Sequence, residues 1–334
     1  ARREGPTPLR MRELLVQLYL ATGAFAKADR SLAVDSALES HEWGYLRTDL
    51  LNPWSGSPIA DGDAWWERFT EFFASDGLRR PTLLDSPLPA MDRLEARGSS
   101  TGSHGPLVTV VMTSFMPEHD PLITSVRSIL HQTWEDLEVI LVDDCSPEEF
   151  ADTLDEVAAL DDRVTVHRMR RNGGTYLARN RGLRLATGAF VTGQDADDWS
   201  HPQRIERQIA PLLEQPELAG TRVMSVTTND DLVISRPGFT ATRPNPSTLM
   251  FRRELGLRLG GFLGARKGAD SEFHARLDAS APLPVLTIGP SPMTVVRIRT
   301  NSLSRSDFRL GWSHPSRRTF VDLYRHWHKA SRGA

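Results

Sequence analysis

A single cysteine, Cys145, stands in 334 residues. No disulfide can form within the chain, and this usage fits a reducing compartment. No apolar run approaches the ~18 residues that a membrane span needs, and no secretory leader opens the sequence. Charge of one sign is also lacking. The 40 basic and 43 acidic side chains leave a formal charge of −3, which excludes the broad basic field of a nucleic-acid binder. No Gly-x-Gly-x-x-Gly follows the first apolar strand, and no glycine loop ends in Gly-Lys-Ser/Thr, so dinucleotide and P-loop readings drop out. What remains is an ordinary globular composition, 39% hydrophobic and 25% charged, long enough for about two domains. The chain opens on Ala1 and not on methionine, so it is expected to be trimmed from a longer protein.

Residues 1–96 read as a helical N-terminal region. Leu14, Leu15, Leu18, Tyr19 and Leu20, then Phe25, Ala28 and Leu32 after Gly23, predict two amphipathic helices with a tight turn between them. This pair loosely resembles one tetratricopeptide-type unit, the end of an array. Trp65, Phe69 and Phe72 mark a further helix over 64–75, expected to cap the main domain. Residues 97–106 are a linker by composition. A second domain is expected over 107–304, with strands at 107–114, 137–144, 164–169 and 189–195. Helices at 121–132, 148–160 and 176–186 alternate with them, the pattern of a mostly parallel sheet covered on both faces. Later strands are expected at 222–228, 283–288 and 293–300. Residues 305–334 form a C-terminal extension with a helix over 316–330.

Chemistry concentrates where strands end, the usual ligand crevice of open α/β sheets. The fourth strand runs into Asp195, Asp197 and Asp198. Three carboxylates in four positions repel one another unless a cation sits among them, and magnesium or manganese would bridge such acids to phosphates. The alternative is a solvated turn capping a helix begun by Pro202. The second strand ends in Asp143-Asp144-Cys145-Ser146-Pro147. A carboxylate there accepts a uracil imide N–H or binds ribose hydroxyls, or else it serves as a helix cap. Between these two motifs lies Asn172-Gly173-Gly174, just before a helix bearing Arg179 and Arg181. Backbone N–H groups and a helix N-terminus at such a site suit an anion.

The order of these pieces resembles the inverting glycosyltransferases of family 2, of the bacterial surface-polysaccharide type. The carrying segments are VTVVMTSF, SILHQTWEDLEVILVDDCSP, NGGTYLARNRGLRLATGAFVTGQDADDWSHPQRIERQ and GGFLGARKGADSEFHARL, within residues 106–300. The resemblance implies a GT-A, Rossmann-like α/β fold with a mostly parallel central sheet, plus the small N-terminal helical region. It implies that Thr113 and Phe115 line a base pocket and that Asp144 bonds the base. Asp195 would hold ribose and Asp197 a divalent metal, Mn2+ or Mg2+. Asn172, Gly173, Arg179 and Trp199 join the nucleotide-sugar site; Trp199 and His201 touch the sugar or cover the site, or Trp199 is a packing residue instead. Asp270 matches the catalytic base, although Ala269 replaces the glutamate that usually precedes it. Of its helix neighbours, His274 is expected at the surface and Arg276 as a phosphate or structural residue.

The implied reaction moves a sugar from a nucleotide diphosphate, UDP by family habit, to a glycan or lipid-linked hydroxyl. The implied setting is cytoplasmic. The stripe Phe320, Leu323, Tyr324 and Trp327, with Arg317, Arg318, Arg325 and Lys329, leaves two readings open. It packs on the parent domain, or it rests on an anionic membrane at the inner face. Arg299–Arg309 are expected to form a lid near the diphosphate. The rival to an enzyme is a non-catalytic nucleotide-sugar-binding or scaffold protein with a degenerate transferase domain. Retention of Asp144, Asp195, Asp197 and Asp270 together argues against it.

Overall fold

The computed structural model describes residues 8–39, 44–74, 76–96, 102–299, 308–309, 312–313 and 315–331. Four helices come first: α1 (Leu9–Ala21), α2 (Phe25–Val34), α3 (Tyr45–Leu51) and α4 (Gly62–Ala74). A small ribbon of β1 (Thr82–Leu83) and β2 (Leu94–Glu95) follows. Gly23 takes φ +72 between α1 and α2, a left-handed helix stop that glycine adopts without strain.

From Val108 strand and helix alternate: β3 (Val108–Ser114), α5 (His119–Leu130), β4 (Leu137–Asp143), α6 (Ala151–Ala158), β5 (Val164–Arg168), α7 (Thr175–Leu185) and β6 (Phe190–Asp195). Then come β7 (Trp199–Ser200), α8 (Arg204–Glu214), β8 (Thr221–Thr228), β9 (Thr242–Pro244), β10 (Phe251–Arg252), α9 (Arg253–Arg258), α10 (Ala269–Ser280), β11 (Leu286–Arg297) and α11 (Pro315–Ser331). The first sheet has the order β10–β6–β3–β4–β5, parallel except for β10 at its edge.

Both faces of that sheet are buried, which is why its strands read as continuous apolar runs. Val110, Met112, Val139 and Leu141 pack with Leu122, Val126 and Ile129 of α5 and Leu154 of α6. Their neighbours Val111, Ile140 and Val142 point the other way, onto Ala178 and Leu183 of α7 and Phe273 and Leu277 of α10. A methyl group at Gly182 would lie 2.3 Å from Val111 Cγ1, so the glycine sets the close approach of α7 to β3.

A second sheet runs β7–β11–β8–β9. Its apolar residues Val223, Val226, Met293 and Val295 share one core with Leu32, Leu46, Phe69 and Phe73 of the N-terminal helices. Polar contacts reinforce the seam. Gln17 Nε2 donates to the Phe239 carbonyl at 2.9 Å, and Gly238 N–H donates to Gln17 Oε1 at 2.8 Å. The buried Asp49 carboxylate accepts the backbone N–H groups of Ile234 and Ser235. The apolar side of the helical region is thus covered by the second sheet, whose presence no local periodicity in residues 8–74 reveals.

Three sequence-based expectations change. The strands expected at 283–288 and 293–300 are a single strand, β11, whose pairing with β8 slips in register between Ile288 and Thr294. The helix expected to begin at Pro202 begins at Arg204, because Trp199–Ser200 are drawn into the second sheet as β7. Of the expected linker, residues 97–101 lie outside the described residues. Ser103 beyond them is pinned, its N–H to the Thr133 carbonyl and its hydroxyl to Glu206 at 2.6 Å. Among the described residues no helix is long and apolar enough to cross a membrane.

Trp199 is 2% exposed within the shared core and stands edge-on to Phe73 at 6.2 Å. Replacing it with alanine is expected to cost about 3–5 kcal/mol. Thermal unfolding should then show one lowered transition, with the N-terminal helices and the second sheet melting together. Loss of the helices alone, seen by limited proteolysis, would contradict a common core.

Candidate active site

Parallel register aligns the chemistry. Thr113 pairs with Asp195 across β3 and β6, and Ser114 with Asp143 across β3 and β4. All four therefore sit at the carboxyl edge of the sheet, where helix N-termini also point. Phe115, just beyond β3, is 50% exposed, which leaves an aromatic face available at the rim.

The two acids ending β4 do different things. Asp143 is buried and ties the turn, accepting from Ser146 N–H at 2.8 Å and from the Ser114 hydroxyl at 3.3 Å. Asp144 binds the glycine loop: its Oδ1 accepts Gly173 N–H and its Oδ2 accepts Gly174 N–H, both at 2.7 Å. Asn172 Nδ2 donates to the Asp144 carbonyl at 3.2 Å. The glycine N–H groups, expected to cradle an anion, are thus already engaged by a carboxylate. Each Asp144 oxygen keeps a further lone pair.

Asp195 is held on both oxygens, by Arg179 Nη2 at 2.7 Å and by the Ser247 hydroxyl at 2.6 Å. Ser247 comes this close because Gly193 has no side chain; a Cβ there would lie 2.3 Å from the Ser247 carbonyl. Arg179, buried, faces Asp195 from between the rings of Tyr176 and Phe262, 5.7 and 5.8 Å from its guanidinium carbon. The resemblance assigned Arg179 to the donor; here its charge neutralises Asp195.

Asp198 is buried and accepts Arg297 N–H at 2.9 Å. Burial, then the charges of Asp197 and Asp195, push its carboxyl well above the usual range. Asp197 is half-buried, and burial, then Asp195, raise its carboxyl to about 6. Under both acids lies Arg297, whose guanidinium bonds Asp92, Asp230 and, at 3.0 Å, the Asp197 carbonyl. Among the described residues no three acidic, histidine or cysteine side chains converge as a closed metal cage. The donor set nevertheless fits a hard divalent cation of the kind held by one or two carboxylates plus substrate phosphates. Asp197 carries a disfavoured negative charge, while the oxygens of Asp195 are already bonded.

Asp270 enters from the far side of the sheet, in the first turn of α10. Its carboxylate accepts Ser271 N–H at 2.8 Å. Arg179, hydrogen-bonded to Asp195, has the Asp270 charge only as a more distant neighbour.

The family model for glycosyl transferase family 2 matches residues 109–272. This stretch is a glycosyltransferase family 2 domain. TuaG of Bacillus subtilis (strain 168), whose name assigns it to teichuronic acid biosynthesis, is 34% identical over 110 residues. That match covers 33% of this chain and 43% of TuaG. A glucosyl-dolichyl phosphate glucuronosyltransferase of Haloferax volcanii is 32% identical over 130 residues, 39% of this chain and 40% of the relative. The chain thus spans less than half the length of either curated relative. Among solved structures, GalNAc-T7 with UDP, GalNAc and Mn2+ superposes with a TM-score of 0.51 at 17% identity. It covers 65% of this chain and 48% of that one. The fold is GT-A.

Within this family 2 domain some expected contacts do not form. Trp199 points into the core shared with the N-terminal helices and cannot face a nucleotide. His201 is likewise buried, stacked on Phe73 at 5.8 Å and bonded to the Arg79 carbonyl. Burial pulls its imidazole down to about 4. His274, expected at the surface, is half-buried beside Asp278 at 3.4 Å. Arg276 is structural, holding Glu272 and the carbonyls of Leu259 and Gly261. The C-terminal stripe divides: Tyr324 is buried and Phe320 lies against Gly268, whereas Leu323 and Trp327 are 63% and 49% exposed. Of the expected lid, residues 300–307 lie outside the described residues, and Arg299 pairs with Asp230 at 2.8 Å. Sequence reasoning missed Tyr176, Arg297 and Asp92; the last two are 205 positions apart, and no local pattern connects them.

The raised carboxyl of Asp197 has a stability consequence. Between its unfolded value and about 6 the folded chain holds a proton that the unfolded chain has released, so stability falls as pH rises through that window. Asp197→Asn should therefore melt increasingly above wild type from about pH 4 to about pH 6 and keep a constant gap above that, and manganese should narrow the gap. A gap independent of pH would remove Asp197 as the strained acid.

Proposed function

We propose that this chain is a metal-dependent, inverting glycosyltransferase. It would take a sugar from a nucleotide-diphosphate donor, a UDP-sugar, and pass it to a hydroxyl of a glycan or lipid-linked acceptor. The observation that carries the reading is the register that sets Asp143 and Asp195 at one carboxyl edge of the parallel sheet, with Asp144 bonded to the Gly173–Gly174 loop beside them, inside a family 2 domain. The names of TuaG and GalNAc-T7 favour a surface-polysaccharide setting and a UDP donor.

In this reading Phe115 and Thr113 flank the base, and a free lone pair of Asp144 accepts its N–H. Asn172 and the Gly173 edge border the same pocket. Asp195, fixed by Arg179 and Ser247, orients the ribose. Asp197 would hold Mn2+ or Mg2+, which supplies charge neutralisation to the leaving diphosphate. Asp270 takes the proton of the acceptor hydroxyl as that oxygen bonds the anomeric carbon. The bond to the diphosphate breaks on the opposite face, so an α-linked donor yields a β-linked product. The carboxylate leaves the step protonated and returns the proton to solvent.

Calorimetric titration with UDP, with and without manganese, tests the donor side. Binding is expected to need the metal, and Asp197→Ala should abolish that dependence. Asp270→Asn should keep UDP affinity within about twofold while turnover falls about 10²–10⁴-fold. Near-wild-type turnover in Asp270→Asn would overturn the base assignment. UDP binding with no turnover of any nucleotide sugar would instead leave a binding module.

A further inference from the structure

The backbone of the acidic turn is gripped at three carbonyls. The Ser125 hydroxyl donates to that of Asp195 and Gln194 Nε2 to that of Asp198, both at 2.9 Å. The carbonyl of Asp197 accepts from Arg297 Nε at 3.0 Å. Ser125 and Gln194 lie within the family 2 stretch, residues 109–272, whereas Arg297 lies beyond it. Its backbone N–H adds a bond to Asp198 Oδ1 at 2.9 Å. The residue read as the metal acid is therefore held by a side chain from the end of β11.

A guanidinium is planar, so the direction of its Nε–H is set once both terminal nitrogens are fixed. Asp92 fixes both. Its Oδ2 accepts from Nη1 at 3.1 Å and its Oδ1 from Nη2, a pairing of two planar forks. The two side chains are 0% and 1% exposed. Asp230 accepts from Nη1 alone and is shared with Arg299, so it does not define the plane. Asp92 is itself firmly placed, in the 3₁₀ turn Ala90–Arg93 between β1 and β2. Met91 beside it is buried in the shared core, and the Met91 N–H donates to the Asp230 carbonyl at 2.9 Å. The Thr124 hydroxyl of α5 donates to the Asp92 carbonyl at 3.4 Å. An apolar pair of similar volume would often stabilise such a seam as well. What it would not do is direct a donor at the Asp197 carbonyl.

We propose that Asp92 is a positioning residue for the candidate metal acid Asp197, acting through the plane of Arg297. The proposal rests on the reading of Asp197 as the metal ligand. Where a carboxylate can reach a cation depends on where its backbone is held. Residues that orient a ligand without touching the metal typically govern affinity by about tenfold to a hundredfold. Asp92 touches neither metal nor nucleotide. The N-terminal region, outside the family 2 stretch, is thereby a working part of the donor site, and its contribution is to metal affinity.

The test measures UDP affinity of the full chain by calorimetry over a series of manganese concentrations, which gives the manganese needed for half-maximal affinity. Asp92→Asn keeps the shape of the side chain and removes one prong of the fork. Its manganese half-point is expected to rise about tenfold to a hundredfold. Excess manganese should return UDP affinity to within about twofold of wild type, because the metal site is then full whatever its strength. Leu46→Ala, in the shared core but with no part in the clamp, is the control for lowered stability. Its half-point should stay within about twofold of wild type. If Asp92→Asn does not fold, Asp92→Leu with Arg297→Met replaces the buried pair by apolar side chains and should show the same rise. A wild-type half-point in a folded Asp92 variant would overturn the proposal while leaving Asp197 as the metal acid. An equal rise in Leu46→Ala would overturn it too, marking general loosening, as would UDP affinity that stays low in excess manganese. UDP binding by wild type that ignores manganese, or a manganese dependence that survives in Asp197→Ala, would instead remove the reading beneath it.

Discussion

The guanidinium of Arg297 is the contact on which the rest of the molecule turns. It is fully buried, and it meets Asp92 from the N-terminal region, Asp230 from the loop after β8, and the carbonyl of Asp197. Its own backbone N–H goes to Asp198. A buried charge survives only when paired and hydrogen-bonded, and removing one partner of such a pair costs about 3–5 kcal/mol. The acidic turn after β6 is therefore anchored to the last strand of the second sheet and, through Asp92, to the N-terminal region. That region completes the support of the candidate site; it is no appendage.

Charge compensation is uneven across the site. Asp195 is answered by Arg179 and Ser247, and Asp198 by the Arg297 backbone, whereas Asp197 feels Arg297 and Arg299 only as nearby charges. The three acids of one turn thus separate into a bonded, a buried and a strained carboxylate. Only the strained one gains from a cation. The same economy holds across the crevice. Arg179 serves Asp195 by a direct hydrogen bond and Asp270 only as a nearby charge, so the end of β6 and the start of α10 are electrostatically linked.

The surroundings of Asp270 are assembled from pieces that are distant in sequence. Helix α10 is held by Arg276, which clamps the loop carbonyls of Leu259 and Gly261, and by His328 of α11, 3.0 Å from the buried Glu272. Phe320 of α11 lies over Gly268, two positions before Asp270. The C-terminal helix packs on the parent domain through this seam, while Leu323 and Trp327 remain outside it.

Local pattern was enough for the parallel sheet and its helices, because continuous apolar runs and helical periodicity are short-range consequences of two-sided burial. Motif order brought Asp144, Asp195, Asp197 and Asp270 together on the page, since strands of a doubly covered parallel sheet must end on one edge. The sequence by itself therefore determined the fold class and that Asp144 and Asp195 stand at one edge of the sheet. It did not determine what each acid does. Trp199 and His201 follow the acidic turn directly, yet β7 joins the second sheet and carries them into the core. Gly173 and Gly174 look free until Asp144 folds over them. Pairings of this kind depend on which buried group finds which partner, and only the tertiary structure, by closing those long loops, decides that.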